Sequence, residues 1–562
     1  MSFQLDPVRT AGGTSSPERS AIRRQGESVS TTIDSTTEAV APSPAHAVTQ
    51  VSKLAVPFLG LLGAVQGSCP NIASTALVGA SRSLHMAGST QALAASVQTL
   101  AIAATVISTG LLADRLGRRN VLMVALVVGA IGNLVVVAAP TSAFYMLGMA
   151  ITGVGLGAVY CAAFGFMAAI VPRERMAGAM GVFTAVVMAG TVVLTFVGGN
   201  LASAHWRMAF LLIPVACIAC LVVTPVLLPR VERITGTKLD LPGQGFLMAG
   251  IILVLYSASQ FAHSLTSPRT VVPLLLGALL LVAFFVWESR YGGHFYPVGL
   301  FRSPAFLAAL CAGFIYTFGT AVAFLQVTNL WQYVNGLATA RVAVWQLPLL
   351  LAGIVAGLVT GRLMTRGLTS RTTILTGGIV SAAGFVLLAV AHGSTSLIGF
   401  LPGLVLTGSG VVIAAVPFGS LILAEAPARY LGPVSSSRTT FGQFFYTIGF
   451  SFSAVVIDRL TVGGVVHRLD HAGVPANQLS TGLDAVNVYA SKGTAPTTSA
   501  GKAALRDAVV SYGHAFSTTF FIAGGLTLLV GIVAFVLLSG SEHRSDAETG
   551  PVDEAAPATT AS

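Results

Sequence analysis

The residues best placed to do chemistry lie in one short run, Gly110-Leu-Leu-Ala-Asp114-Arg115-Leu-Gly117-Arg118-Arg119. It packs a carboxylate, three guanidinium groups and two glycines between long apolar stretches. No charge occurs from Gln91 to Ala113 or from Asn120 to Val171. Ionised side chains in hydrocarbon cost about 2.5–3.5 kcal/mol each on insertion scales. The run therefore marks a membrane surface, and its chemistry is charge pairing. Nothing points to catalysis: there is no nucleophile–base set, metal-ligand spacing or phosphate-cradling loop. We expect no catalytic residue, no metal and no cofactor.

Such a run needs long helices on either side of it. Hydrophobic residues are 54% of the 562 residues and charged residues 9%, against roughly 25% charged in soluble domains. Apolar stretches recur at the length of about 20 residues that crosses a bilayer core. The pattern predicts an all-α integral membrane protein. Spans are expected near 54–78, 90–113, 120–139, 143–170, 179–201, 208–228, 245–262, 271–287, 305–328, 342–361, 373–391, 397–424, 440–457 and 513–538, fourteen in all. All 30 Lys and Arg and all 20 Asp and Glu fall outside these spans. Residues 1–50 are rich in Ser, Thr, Gly and Pro and read as a disordered tail, with no cleaved signal peptide before Leu54.

Lys and Arg set the orientation. With the N-terminus inside, inner segments hold 21 basic residues and outer loops 9, five of them in one long loop over 458–512. Both termini, including a tail over 539–562, are then cytoplasmic, and the 110–119 hairpin is too. The net charge of +10 follows from this topology and does not call for nucleic acid. Within the long outer loop, Ala500 to Ala515 has helical spacing and predicts an amphipathic helix leading into the last span. Cys69, Cys161, Cys217, Cys220 and Cys311 all lie in apolar spans, which argues for packing rather than disulfides or metal.

The hairpin has an echo 251 residues on, Gly361-Arg-Leu-Met-Thr365-Arg366-Gly367-Leu-Thr-Ser-Arg371. An Arg follows the leading Gly by five in both copies, and Thr365 stands where the first copy has Asp114. Repeated halves with a site at their interface are the usual construction of secondary transporters.

Gly110, Asp114, Arg115, Gly117, Arg118 and Arg119 closely resemble the signature of the major facilitator superfamily between its second and third spans. The span count resembles the fourteen-span drug:proton antiporter branch. Arg173-Glu174-Arg175, His205-Trp206-Arg207 and Gln332-Tyr-Val-Asn-Gly336 agree with that branch, as does Gln346-Leu-Pro348. The resemblance covers about 54–538 and implies six-helix bundles over 51–230 and 304–538, with a two-helix insert over 231–303. It implies a cytoplasmic latch, in which Asp114 pairs with an Arg and with a helix N-terminus when the outer side is open. Gly181, Gly190, Gly198 and Gly199 resemble the span-five antiporter motif, but Leu194-Thr195 stands where the family usually has Gly-Pro. An ordinary glycine packing face remains an equal reading.

Two family charges are missing. The first span has Gln66-Gly-Ser68-Cys69-Pro70-Asn71 where the branch usually carries an Asp, and Met149 takes the position of an Arg in span four. Proton coupling needs a titratable group, and the candidates left are Glu425, Asp458 and His514 at span ends. The resemblance places a cavity among spans one, four, nine and twelve, flanked by two, five, ten and thirteen. Its candidate lining is neutral: Gln66, Asn71, Gln98, Tyr160, Tyr316, Gln326, Asn329, Gln443 and Tyr446. Such a pocket suits amphiphilic rather than phosphorylated molecules.

Three functions are carried forward. The first is a plasma-membrane secondary transporter, acting as a monomer in the bilayer, that exports hydrophobic or amphiphilic small molecules with protons as a coupling ion. The second is a facilitator or lipid-handling transporter without proton coupling. The third is a membrane sensor or scaffold that does not transport.

Overall fold

The computed structural model describes residues 52–86, 88–230, 240–260, 266–291, 296–337, 339–427, 430–471 and 499–548. The tail expected over 1–50 lies outside the described residues, as do 472–498 and 549–562. Regular structure among the described residues is helical throughout. The first half comprises α1 (Ala55–Ser83), α2 (Gly88–Leu116), α3 (Arg118–Ala138), α4 (Ser142–Ile170), α5 (Met176–Ala204) and α6 (Trp206–Leu227). Then come α7 (Leu241–Gln260) and α8 (Pro268–Tyr291). The rest comprises α9 (Pro304–Asn329), α10 (Thr339–Trp345), α11 (Leu347–Thr365), α12 (Ser370–Val390), α13 (Leu397–Ala424), α14 (Leu431–His471) and α15 (Ser499–Glu548).

Twelve of these helices are long and apolar enough to cross a membrane. The apolar stretch of α7 is shorter, Pro242–Ala258. Helix α1 is long, but Gln66, Ser68, Asn71, Ser74 and Thr75 dilute its middle. Several helices start on side-chain caps, each contributing about 1 kcal/mol: Thr141 for α4, Ser303 for α9, Thr369 for α12 and Ser396 for α13. The tenth expected span is divided at Gln346 into α10 and α11. Pro348 explains the break, because it has no N–H to bond back into the preceding turn.

Small residues let the helices approach closely. In the first half Gly132 of α3 faces the backbone and hydroxyl of Thr152 on α4, and in the second Gly384 of α12 faces Thr407 of α13 in the same way. These pairs lie 252 and 255 residues apart in sequence, close to the 251 between the two hairpins. Helix α1 runs along α5, Gly60 against Val186 and Gly67 against Thr191. Helices of the first and last groups meet where α2 and α4 touch α14, and where α5 touches α11 and α13. Helix α7 packs on both α2 and α14.

Two expectations need correction. Helix α14 begins at Leu431 rather than near 440, so Arg438, outside the span as expected over 440–457, lies inside a helix that is a candidate membrane span. The cause is a solvent-like sequence, Ser435-Ser436-Ser437-Arg438-Thr439-Thr440, that is buried against other helices. The outer loop expected over 458–512 is also shorter. Helix α14 continues to His471, and α15 is continuous from Ser499, absorbing the amphipathic helix expected over Ala500 to Ala515.

Candidate functional site

Helices α2 and α3 are joined by Gly117 alone, at φ +90°. That left-handed conformation costs a glycine little. The turn sets Asp114 in the last turn of α2 and Arg118 at the first position of α3. Arg118 Nε and Nη2 donate to Asp114 Oδ1 at 3.1 and 2.6 Å, and Nη1 donates to the Gly165 carbonyl of α4. The other carboxylate oxygen, Oδ2, accepts the Gly432 N–H at 2.5 Å, at the start of α14. Asp114 is 2% exposed and Arg118 4%. A buried ion pair is tolerable only when its remaining hydrogen-bonding groups are satisfied, and here both carboxylate oxygens are engaged. The anion also meets the positive end of α14, a favourable placement of about 0.3–1 kcal/mol, more when partly buried.

The contact depends on two glycines. A Cβ on Gly110 would lie 2.6 Å from the Gly432 carbonyl oxygen, and one on Gly432 would run into the Asp114 carboxylate, 2.7 Å from its carbon. Arg115 and Arg119 sit half-buried at the edge of this group.

The span-five glycines divide between two neighbours. Gly181 faces α11, where a Cβ would stand 2.6 Å from the Gly357 carbonyl oxygen and 3.0 Å from the Gly361 Cα. Gly190 and Gly198 face Ala64 and Ile72 of α1 instead, and Gly199 faces nothing within 4 Å. Gly361 opens the second hairpin, whose turn again uses a left-handed glycine, Gly367 at φ +109°. There the resemblance between copies stops. Thr365 turns its hydroxyl to the Arg362 carbonyl at 2.8 Å and its methyl toward Gly178.

About 9 Å further along α14, at 1.5 Å per residue, lies Arg438, which the sequence reading missed. It is 4% exposed. Its Nη1 donates to the Tyr160 hydroxyl of α4. Its guanidinium carbon lies 4.8 Å from the ring centre of Phe164, 5.5 Å from Phe418, 5.7 Å from Phe183 and 5.9 Å from Tyr160. No acceptor meets Nε. Tyr316 is within electrostatic range of Arg438, Tyr160 and Tyr446. The available signal was the spacing of Tyr160 and Phe164, which places two aromatic faces on one side of α4.

The other expected lining residues are dispersed. Gln66 and Gln98 are buried, Gln98 against Gly153 of α4, and Asn71 donates to the Gly67 carbonyl of its own helix at 3.4 Å. Gln326 donates to Ser453 at 2.9 Å and accepts from Asn329 and Tyr512, both at 3.3 Å, tying α9 to α14 and α15. Gln443 is half-buried in α14, and its carbonyl accepts from Thr447 at 2.9 Å. Nor do the titratable candidates converge. Glu425, just past α13, accepts from Ser303 at 2.7 Å. Asp458 is exposed on α14, and His514 is exposed on α15 with its ring 5.9 Å from that of His392.

The helical fold and the hairpin sequence can be set against known proteins. The family model described as the Major Facilitator Superfamily matches residues 59–450. This chain belongs to the Major Facilitator Superfamily. Among relatives in that family, the puromycin resistance protein pur8 of Streptomyces alboniger is 29% identical over 500 residues, covering 87% of this chain and 91% of that protein. An uncharacterized MFS-type transporter of Mycobacterium tuberculosis is 30% identical over 289 residues, 51% of this chain and 41% of its own. The multidrug transporter mfsC of Aspergillus fumigatus is 27% identical, covering 51% and 56%. The chain thus spans about half the length of these last two relatives. Of solved structures, the human organic anion transporter MFSD10 aligns with a TM-score of 0.56 at 14% identity, covering 86% of this chain and 98% of that one. The proton:xylose symporter XylE aligns at 0.55 and 11%, covering 85% and 94%. At such identities the likeness shows the fold.

This member of the superfamily has twelve described helices long and apolar enough to cross a membrane, and efflux-type proteins stand among its relatives. The two positions where the family resemblance implied charge hold buried neutral residues, Gln66 at 6% exposure and Met149. Met149 is buried at 1% exposure. Close to it, Asn133 of α3 donates to Thr152 at 3.2 Å and to the Gly129 carbonyl at 3.0 Å, with the Cys69 thiol of α1 3.9 Å from its Oδ1.

Proposed function

We propose that the protein exports hydrophobic or amphiphilic small molecules across the plasma membrane by alternating access, as a monomer with both termini cytoplasmic. In this reading fourteen helices cross the bilayer. Helices α1–α6 and α9–α15 form two six-span bundles, with α10 and α11 counted as one broken span and α7–α8 as the insert. The observation that carries it is the Asp114–Gly432 contact. It joins a hairpin of the first bundle to the first turn of a helix in the second, so it must break whenever the bundles part at that end. The hairpin, the insert-side end of α9 and the starts of α12 and α14 would then form the cytoplasmic gate, closed here. Export as the direction follows the names of the drug-efflux-like relatives. The test is efflux of two lipophilic dyes, one uncharged and one anionic, from proteoliposomes, with and without a pH gradient. Export of at least one dye is expected in at least one condition, and its absence for both dyes in both conditions would overturn the reading.

A second reading, transport without proton coupling, is favoured by the scatter of Glu425, Asp458 and His514 over the ends of three helices and by neutral Gln66 and Met149. Equal efflux with and without the gradient would select it. A sensor or scaffold has little use for a contact that only pays off in motion.

A further inference from the structure

We propose that Arg438 is the anchor for a single anionic head group, so that the amphiphiles this protein carries are organic monoanions. The proposal rests on the transport reading above and names its substrate class. A guanidinium keeps its charge in proteins, so burying one requires compensation. Among the described residues no carboxylate pairs with Arg438. What it has instead is one neutral hydroxyl, from Tyr160, and the faces of four aromatic rings. Ring faces attract a cation but accept no strong hydrogen bond, and Nε is left without a partner although the residue is 4% exposed. The missing piece is an acceptor that carries negative charge.

A carboxylate or sulfonate supplies both, with two oxygens suited to the planar fork. The surroundings set the rest of the molecule. Gly419 borders Nε, where an added Cβ would lie 3.3 Å away, and its neighbour on that side is the flexible end of Met180. A methionine thioether can move aside for a head group. Half-buried Tyr316 and Tyr446 offer aromatic walls to an apolar body. A dianion would need a second cation, and Arg118, in the adjacent layer, is already held by Asp114. A lipophilic cation would meet like charge.

The test uses the full chain and matched probes, NBD-labelled dodecyl sulfonate, which stays charged at all working pH, and NBD-labelled dodecanol. Binding is read by probe fluorescence and transport in proteoliposomes. The wild type is expected to bind the sulfonate at least tenfold more tightly than the alcohol. Arg438→Gln should bring the sulfonate to the level of the alcohol while leaving alcohol binding unchanged. Arg438→Lys, which keeps the charge but not the fork, should retain part of the preference and guards against misfolding of the first variant. No preference in the wild type, or equal loss of both probes in both variants, would overturn the proposal and leave Arg438 a packing residue. Since binding is read separately, sulfonate preference without transport would sink the transport reading and uphold the anion site. Repeating the assay in vesicles with and without phosphatidylglycerol distinguishes the source. Competition by that lipid would make a lipid head group the natural anion, and its absence a free amphiphile.

Discussion

The Gly432 N–H points at Asp114 Oδ2 from 2.5 Å, although 318 residues separate the two. Around that bond the chain arranges a guanidinium, a helix N-terminus and two glycines too close to tolerate side chains. Removing any one of them acts on the same closed end by a different physical route, and that makes the contact testable.

Asp114→Asn keeps shape and removes charge. Arg118 loses its counter-ion while still buried, and the amide cannot satisfy Arg118 and Gly432 as the carboxylate does. Leaving a buried polar group unsatisfied costs about 1–3 kcal/mol, so the closed-to-open ratio should fall roughly fivefold to 150-fold. Spin labels on the exposed residues Asn120 and Thr372 should report a longer distance, with slowed transport. An unchanged distance distribution would show that the bond does not hold this end shut.

Gly432→Ala makes the complementary change, keeping charge and removing space. A methyl group would collide with the Asp114 carboxylate and the α2 backbone, at about 1–3 kcal/mol for overpacking. The same opening is expected. Gly199→Ala is the control, since nothing lies within 4 Å of its Cβ position. It should behave as wild type in labelling, transport and thermal stability. If the two substitutions proved alike, close approach would not be what Gly432 provides.

The hairpin and its echo were readable because they are local: glycines, charges and spacing lie within a dozen residues. Gly432 was not, since a glycine near the start of a helix has no pattern tying it to an aspartate in the other half. Arg438 was hidden for another reason. Hydropathy treats a charge among serines and threonines as a boundary, and only the rings of Phe164, Phe183 and Phe418, from three other helices, turn that position into an interior. Tyr160 and Gln326 looked alike as isolated polar residues in apolar runs. One meets Arg438 and the other ties α9 to α14 and α15, a difference that exists only once the helices are packed.

The span-five glycines should separate by neighbour rather than act as one motif. Gly181→Ala places a methyl group 2.6 Å from the Gly357 carbonyl oxygen, between the two halves. It is expected to open the hairpin end by the same label distance as Gly432→Ala, and to add little to that variant when combined. Gly190→Ala instead strains α5 against Ala64 of α1, within one half. It should lower thermal stability without changing the label distance. Equal effects of the two on that distance would restore the motif as a unit.

Glu425, Asp458 and His514 bear on what drives transport. Glu425 already has a partner in Ser303, Asp458 is exposed, and His514 faces His392 at the far end of α15 from the hairpin. A coupling group must sense the substrate site, and among the described residues no hydrogen bond or ion pair links any of the three to Arg438, the proposed anchor. Glu425→Gln, Asp458→Asn and His514→Gln are each expected to leave initial transport rates within about twofold of wild type, since exposed or peripheral substitutions seldom exceed about 0.5 kcal/mol. Glu425→Gln carries the sharpest test, because glutamine can still accept from Ser303 and only the charge is lost. If that variant alone abolished pH-gradient-driven efflux while exchange of substrate down its own gradient survived, Glu425 would be the coupling carboxylate. The proton would then enter beside the start of α9 rather than through α1, where the expected acid is replaced by Gln66.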